Sequence, residues 1–448
     1  MLKNGKKTEG AENDDEEEKE EAGNIVNDAE IDEKIHGDFL ISKKKIYLNN
    51  GSVGPVPIST VKAITDFYLR YSEQGPDSTE SNEYLENLKM ETRRRVADLI
   101  NCDSNEIIFT SSTTEGINFI TNGIAWRKND KILLRNSKNE HFSNYLPWIK
   151  AVNDNDLQLE RYPFENENMV IEDLTNLMES PPSPSPSPNF PRIVSTSHVM
   201  YNNGSITPVE KMGSIIKKKN KKTLFSIDGA QSVGAIEVDV KKIKCDFLSF
   251  PAFKWVCGPL GIGVLYVNKK VMDTEYEPVF VGAGTAQIES LKDRRKNSRG
   301  GNSTNKTRET LKFYKYPQKF HSTFRNYPGL AGLEASVRYL LRIGISNICK
   351  KNKKLSNIFR EEISKIKEIV IHEASEESMR SSMVSFSFTS NNNSRVKNLV
   401  ERLEEKGMIL AEREIGPKKI VRASPHFYNT ENEIIKTINE IKIITSKI

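Results

Sequence analysis

The sequence predicts an α/β protein: a mostly parallel, doubly wound sheet between helices, with a smaller α+β region at the C-terminal end. Three observations carry that expectation. Short apolar runs recur at Glu106–Thr110, Lys131–Arg135, Arg192–Ser197, Thr223–Asp228, Asp246–Phe250 and Gly263–Val267. Between them and before them the apolar spacing is helical, as over Ile58–Ile100 and Thr114–Gly123. From Gly329 onward helical patterns dominate, at Leu330–Leu341, Ser346–Ile366, near Ser394–Lys406 and at Thr430–Lys447, with one short strand at Ser382–Thr389.

The 448 residues allow two domains around sizeable cores. Residues 1–38 are polar and acidic, and the composition predicts disorder there. Residues 39–328 form the expected large domain and 329–448 the smaller one. Ordered structure is expected to start near Lys45-Ile46-Tyr47-Leu48, which runs into a turn or site loop at Asn49-Asn50-Gly51-Ser52. Two inserts interrupt the large domain, near 179–190 and 288–318. The first carries the proline-rich run Ser180–Pro188 and reads as a surface loop. The second, from Lys292 to Lys319, is basic, rich in Ser, Asn and Thr, and expected to be flexible.

Net charge is +5, with acidic residues crowded at the start and basic ones in the second insert. Two solvated segments explain that pattern, so no nucleic-acid partner is inferred. The four cysteines, Cys102, Cys245, Cys257 and Cys349, form no CxxC pair and no metal-ligand spacing, and no metal site is expected. Few, scattered cysteines suit a reducing compartment. The acidic start has no apolar run and no segment is long enough to span a bilayer, so a cytoplasmic protein without membrane contact is expected.

Four stretches could carry chemistry. Lys254 lies in Phe250-Pro251-Ala252-Phe253-Lys254-Trp255-Val256-Cys257-Gly258, after an apolar strand and before a glycine-rich turn. An apolar pocket there would favour its neutral, nucleophilic form. Asp228, in Ser226-Ile227-Asp228-Gly229-Ala230-Gln231, stands at a strand's carboxyl end, where open α/β sheets bind ligands. It could pair with a protonated pyridine nitrogen or simply cap a following helix. In Thr110-Ser111-Ser112-Thr113-Thr114-Glu115-Gly116 a strand leads into a hydroxyl-rich helix start, which suits a phosphate and also suits a capping box of Ser112 with Glu115. His141, in the expected loop Glu140–Asn144, could stack on an aromatic ring. Phosphate turn, stacking residue, acid and lysine follow one another in that order, each after an expected strand.

With those motifs the sequence resembles the class V aminotransferase, or cysteine desulfurase-like, family of fold-type I pyridoxal 5′-phosphate (PLP) enzymes. The resemblance runs from about Ile46 to the C-terminus. It rests on Thr113–Asn118, Glu140-His141, Ser197-His198-Val199, Asp228-Gly229-Ala230-Gln231, Lys254 with Gly258-Pro259, and Val421–Thr430. The wording of Lys254-Trp255 and Ser424–Thr430 is nearest the isopenicillin N epimerase-like branch. The resemblance implies a seven-stranded large-domain sheet, a PLP cofactor held as a Schiff base on Lys254, and a homodimer with shared active sites. It also implies that Asp228 pairs with the ring nitrogen, Gln231 binds the ring hydroxyl oxygen and His141 stacks on the ring. Thr113 and Thr114 would bind phosphate. Arg422 would take the carboxylate of a small amino-acid-like substrate, with Asn50 and Tyr201 as further substrate contacts.

The departures bear on the reaction. Desulfurases carry a mobile loop with a nucleophilic cysteine before the arginine motif, and here Glu412–Lys419 has none. That argues against persulfide-type cysteine desulfuration. Phe253 replaces a histidine, and Pro251 replaces a hydroxyl residue that assists the phosphate. Thr323-Phe324 stands at the phosphate loop donated across the dimer, with Thr323 as the remaining candidate contact. The expected function is therefore PLP-dependent chemistry on an amino acid or related carboxylate-bearing amine. A binding or scaffold protein that has lost catalysis is one alternative. Cysteine desulfurase, selenocysteine lyase or epimerase-like activity is another.

Overall fold

The computed structural model describes residues 28–135, 140–162, 171–178, 190–272, 276–292, 307–315, 318–320, 326–390 and 392–447. Seven strands form the main sheet: β1 (Ile107–Thr110), β2 (Lys131–Arg135), β3 (Gln158–Tyr162), β4 (Ile193–Ser197), β5 (Leu224–Asp228), β6 (Phe247–Pro251) and β7 (Gly263–Val267). Their spatial order is β1-β7-β6-β5-β4-β2-β3. Only β7 runs antiparallel to its neighbours, β1 and β6; the other pairs are parallel. Every residue of β1, β4, β5, β6 and β7 is buried, which is why these strands read as apolar-rich runs rather than as apolar and polar residues in alternation. The sequence pattern missed β3. It is an edge strand, Gln-Leu-Glu-Arg-Tyr, in which only Tyr162 is buried, so it carries no apolar run to detect.

Helices pack on the sheet. Thr79–Ile100 is capped by Ser78, whose Oγ accepts from the Ser81 N–H at 3.1 Å. Its Val96 and Ile100 join Phe109, Val194, Phe225 and Phe250 in the main core. A second core lies under a four-stranded antiparallel sheet, ordered Ile369–His372, Val384–Phe388, Lys418–Ala423, Ala411–Ile415. Leu355, Phe359, Phe386, Val421, Ile434 and Ile438 fill it, the last two from the helix Glu431–Thr445. The expected boundary at 329 falls inside the helix Tyr327–Ile343, and Leu330, Leu333, Val337 and Leu340 of that helix belong to the main core. Near the start of the described chain, Ile46–Tyr47 pairs in parallel with Met408–Ile409.

Three local expectations change. Within the acidic segment, Asp28–Gly37 is helical. Asp32 pairs with Lys351, His36 Nδ1–H donates to the Tyr428 carbonyl at 2.9 Å, and Asp38 accepts from the Tyr339 hydroxyl at 2.7 Å. These are tertiary partners that local composition cannot reveal; residues 1–27 lie outside the described residues. In the basic insert, Thr307–Phe313 is a strand in antiparallel register with Ala286–Lys292, and cross-strand pairing holds it extended despite its polar composition. The expected loop Glu140–Asn144 instead contains a helix start, since Phe142–Asp154 is helical. The proline-rich run Ser180–Pro188 lies outside the described residues.

Candidate active site

A pocket of about 300 Å³ opens at the carboxyl ends of β1, β4, β5 and β6. Strands feed it because each parallel strand must end and turn at that edge of the sheet. Thr113, Thr114, His141, Tyr201, Asp228, Gln231, Lys254 and Arg422 all line it. The structure thus brings together eight of the ten residues singled out in the sequence. Asn50 is buried behind the wall, donating to the Ser424 carbonyl at 3.2 Å and the Tyr428 hydroxyl at 3.0 Å. Thr323 lies outside the described residues.

Lys254 sits on a tight turn after β6. The Cys257 N–H donates to the Lys254 carbonyl at 3.1 Å and the Gly258 N–H to the Ala252 carbonyl at 2.8 Å. Cys257 adopts φ 54°, a left-handed conformation that closes the turn. His426 Nε2 lies 2.9 Å from the Trp255 carbonyl, and the Ser336 hydroxyl donates to the Cys257 carbonyl at 3.0 Å. From the other side, the Gly54 N–H donates to the Phe253 carbonyl at 2.7 Å. Gly54 must be glycine: a Cβ there would lie 2.2 Å from the Lys254 carbonyl oxygen. Burial lowers the Lys254 pKa to about 8, against the Asp228 carboxylate, which favours its charge.

Asp228 ends β5. Burial raises its pKa to about 6, while the Ala230 N–H, donating to Oδ1 at 2.9 Å, holds it down. The capping alternative fails, because turns rather than a helix follow Asp228. Behind it, the buried Glu140 accepts from the Ser197 N–H at 3.2 Å and from the Ser197 hydroxyl. His141 is the N-cap of Phe142–Asp154, its Nδ1 accepting from the Ser143 N–H at 3.1 Å. A neutral ring with Nδ1 as acceptor carries its proton on Nε2. Burial first, then Lys254 and the two nearby arginines, lower its pKa to about 4, so the ring is neutral at pH 7. Tyr201 meets it edge-on at 4.8 Å.

Three features test the pocket for PLP. The Thr113 hydroxyl is buried without a partner at the start of Thr113–Gly123, beside Ser112 and Thr114; phosphate oxygens would satisfy it and the helix N–H groups. Ser112 caps that helix by accepting from the Glu115 N–H at 3.2 Å, while Glu115 itself reaches the Ser111 N–H, so no reciprocal capping box forms. The desolvated Asp228 carboxylate suits a protonated pyridine nitrogen. Trp255 Nε1–H donates to Gln231 Oε1 at 2.8 Å, leaving the Gln231 amide NH₂ to donate to the Gly51 carbonyl at 2.8 Å and to face the pocket. The donor set fits the cofactor.

Arg413 also lines the pocket, and the sequence reading overlooked it. The stretch Glu412–Lys419 was expected to be a loop without a cysteine. It is instead a hairpin with Gly416-Pro417 at its turn, in which Ala411 pairs with Arg422 and Arg413 with Ile420. That register puts Arg413 and Arg422 diagonally on one face. Alternation of Glu412, Arg413 and Glu414 was the available signal, but only the pairing shows where Arg413 points. Arg422 donates to the Tyr201 carbonyl at 2.5 Å and to Ser52 Oγ at 2.9 Å. Burial and the neighbouring Arg413 lower its pKa to about 9.

The lysine turn, the acid on the neighbouring strand and the hydroxyl-rich helix start, set on a seven-stranded sheet of this order, define a PLP-dependent enzyme of fold-type I. A family model for Aminotransferase class-V matches residues 46–436, and the chain belongs to that family. It is 32% identical over 329 residues to a probable cysteine desulfurase of Pyrococcus abyssi, covering 72% of this chain and 74% of that protein. It is 29% identical over 422 residues to a probable cysteine desulfurase of Methanothermobacter thermautotrophicus, covering 90% and 95% of the two chains. Among solved structures it is similar to the apo cysteine desulfurase of Thermococcus onnurineus, with a TM-score of 0.80 and 26% identity over 93% of this chain and 98% of that one. These relatives give no support to the expectation that the chain is not a cysteine desulfurase. No described helix is long and apolar enough to cross a membrane.

Proposed function

We propose that this enzyme acts on an α-amino acid whose carboxylate is taken by Arg422 and whose Cα proton is removed by Lys254. The observation that carries the reading is the convergence of Lys254, Asp228, Gln231, His141 and Arg422 on one pocket. Lys254 would hold the cofactor covalently, Asp228 its ring nitrogen, Gln231 its ring hydroxyl oxygen and Thr113 with Thr114 its phosphate. When bound, the cofactor supplies an electron sink for the charge left at Cα. His141 is neutral and capped in place, so it presents a ring face rather than a cation. Arg422 is fully buried and pairs with no carboxylate among the described residues, which suits capture of a substrate carboxylate. A cytoplasmic homodimer with shared sites belongs to the same reading. Exposed Phe142 and Leu146, on the helix that starts beside His141, support an apolar contact there.

Cysteine desulfuration is the second reading, favoured by the names of the relatives. Against a persulfide route stand the four cysteines, none of which lines the pocket. Cys257, in the lysine turn, is buried, and burial pushes its thiol far up. Kinship with the isopenicillin N epimerase-like branch rests on motif wording alone. A spectral screen of amino acids against the PLP-loaded protein, with product identification for each hit, tests both readings. Release of sulfide from cysteine, with a persulfide found by mass spectrometry on one of the four cysteines, would establish the second. A Lys254→Ala protein that still retains PLP after borohydride reduction and denaturation would overturn the first.

A further inference from the structure

Asp228 has a serine on each side. In the parallel register of β4, β5 and β6, Ser197 and Ser249 are its direct neighbours, so the three side chains share one face of the sheet. Either hydroxyl could steady the carboxylate, yet each donates elsewhere. Ser249 gives its proton to the Thr113 carbonyl at 3.2 Å. Ser197 gives its proton to Glu140 Oε1, and the Ser197 N–H donates to Glu140 Oε2 at 3.2 Å. A hydroxyl has one proton, so Ser197 can serve one carboxylate at a time. The hydrogen bond that Asp228 does receive comes from the Ala230 N–H, on Oδ1 at 2.9 Å.

Glu140 decides where the Ser197 proton goes. It is buried, and the His141 N–H also donates to its Oε1, at 3.3 Å. Three donors turned on one side chain are the surroundings of a carboxylate. Tyr162, on the edge strand, and Tyr201, after β4, lie within reach of its charge. Burial contributes most to the proton affinity of Asp228. The Ala230 N–H and Lys254 lower that affinity, and the Glu140 charge raises it. Two carboxylates in one desolvated region repel, and a proton or cation at either relieves the repulsion. A protonated pyridine nitrogen beside Asp228 would do so.

We propose that Glu140 is a positioning residue for Asp228. By taking the Ser197 proton and placing a second anion behind Asp228, it sets how firmly Asp228 holds a proton shared with the cofactor's ring nitrogen. The inference rests on the assignment of Asp228 to that nitrogen and adds the group that tunes it.

The coupling between the two acids can be measured on the full-length protein without cofactor. Carbon-13 NMR of aspartate-labelled protein follows the Asp228 carboxyl, assigned by its loss in Asp228→Asn. Glu140→Gln keeps an acceptor for both N–H groups and removes the charge. It should lower the Asp228 midpoint by about one pH unit, tenfold in proton affinity. Ser197→Ala supplies a sign test that survives a poorly folding Glu140→Gln. The midpoint should not rise, because the lost hydroxyl serves Glu140; a rise would show that Ser197 donates to Asp228 and would overturn the inference. So would a midpoint that ignores Glu140→Gln. In the loaded protein, the resonance of nitrogen-15-labelled PLP should sit nearer its unprotonated position in Glu140→Gln than in wild type. A resonance that answers Asp228→Asn but not Glu140→Gln would overturn the inference. One that ignores both variants would instead remove Asp228 from the ring nitrogen, while the carbon-13 titration would still report the hold of Glu140 on Asp228.

Discussion

The indole N–H of Trp255 donates a 2.8 Å hydrogen bond to the side-chain oxygen of Gln231. An indole nitrogen can only donate, so this contact decides which end of the Gln231 amide is oxygen and sends the NH₂ toward Gly51 and the pocket. The residue after the lysine thus orients a side chain that lines the pocket. Trp255→Phe removes the donor and lets the amide turn over. We expect PLP to bind about tenfold more weakly, ~1.4 kcal/mol, with a shifted visible maximum. Equilibrium titration followed by absorbance checks it; an unchanged spectrum and affinity would show that the orientation does not matter.

Lys254 must be neutral to attack an aldehyde. Burial brings its pKa from 10.5 to about 8 in the cofactor-free protein. The rate of covalent PLP capture should therefore rise with pH through about 8 and level off above it. The same shift sets a stability trend. Between about 8 and 10.5 the unfolded lysine binds the proton that the folded one has lost, so this group's contribution to stability rises with pH across that window. A capture rate still climbing steeply at pH 10 would mean that the lysine is not desolvated as the pocket implies.

Asp228→Asn keeps the acceptor for the Ala230 N–H and so should fold. It removes the negative charge that would hold a protonated ring nitrogen. Turnover should fall on the order of 10²-fold or more, while the borohydride-reducible bond to Lys254 persists. Stopped-flow and steady-state rates on any substrate found by the spectral screen would decide it; near-wild-type turnover would remove Asp228 from the reaction.

Gly54→Ala places a methyl 2.2 Å from the Lys254 carbonyl oxygen. The methyl meets backbone there, so the loop or the lysine turn has to move. A loss of about 1–3 kcal/mol in stability is expected, together with slower PLP capture. Thermal melting and capture kinetics measured on one preparation would show whether the two effects travel together.

Much of the cofactor site was legible. Thr113 and Lys254 each follow a fully buried strand and Asp228 ends one, and strands buried on both faces show in the sequence as apolar-rich runs. Their chain order then ranked a phosphate turn, an acid and a lysine as one constellation. The hairpin wall of the pocket was much less legible. Arg413 sits in a polar hairpin, and only its pairing with Ile420 places it diagonally from Arg422. Asn50 looked like a site residue, yet its amide serves Ser424 and Tyr428. The helix Asp28–Gly37 owes its place to distant partners such as Lys351, Tyr339 and Tyr428.

By itself, then, the sequence determined the α/β class, the family and most of the residues that meet in the pocket, because strand burial and motif order are local properties of the chain. The tertiary structure decided the rest: the orientation of Gln231 by Trp255, the fit of Gly54 against the lysine turn, and the placing of Arg413 beside Arg422 on the hairpin wall of the pocket. Each depends on hydrogen bonds or strand register between segments far apart in sequence, and neither periodicity nor composition encodes which distant partner a side chain meets.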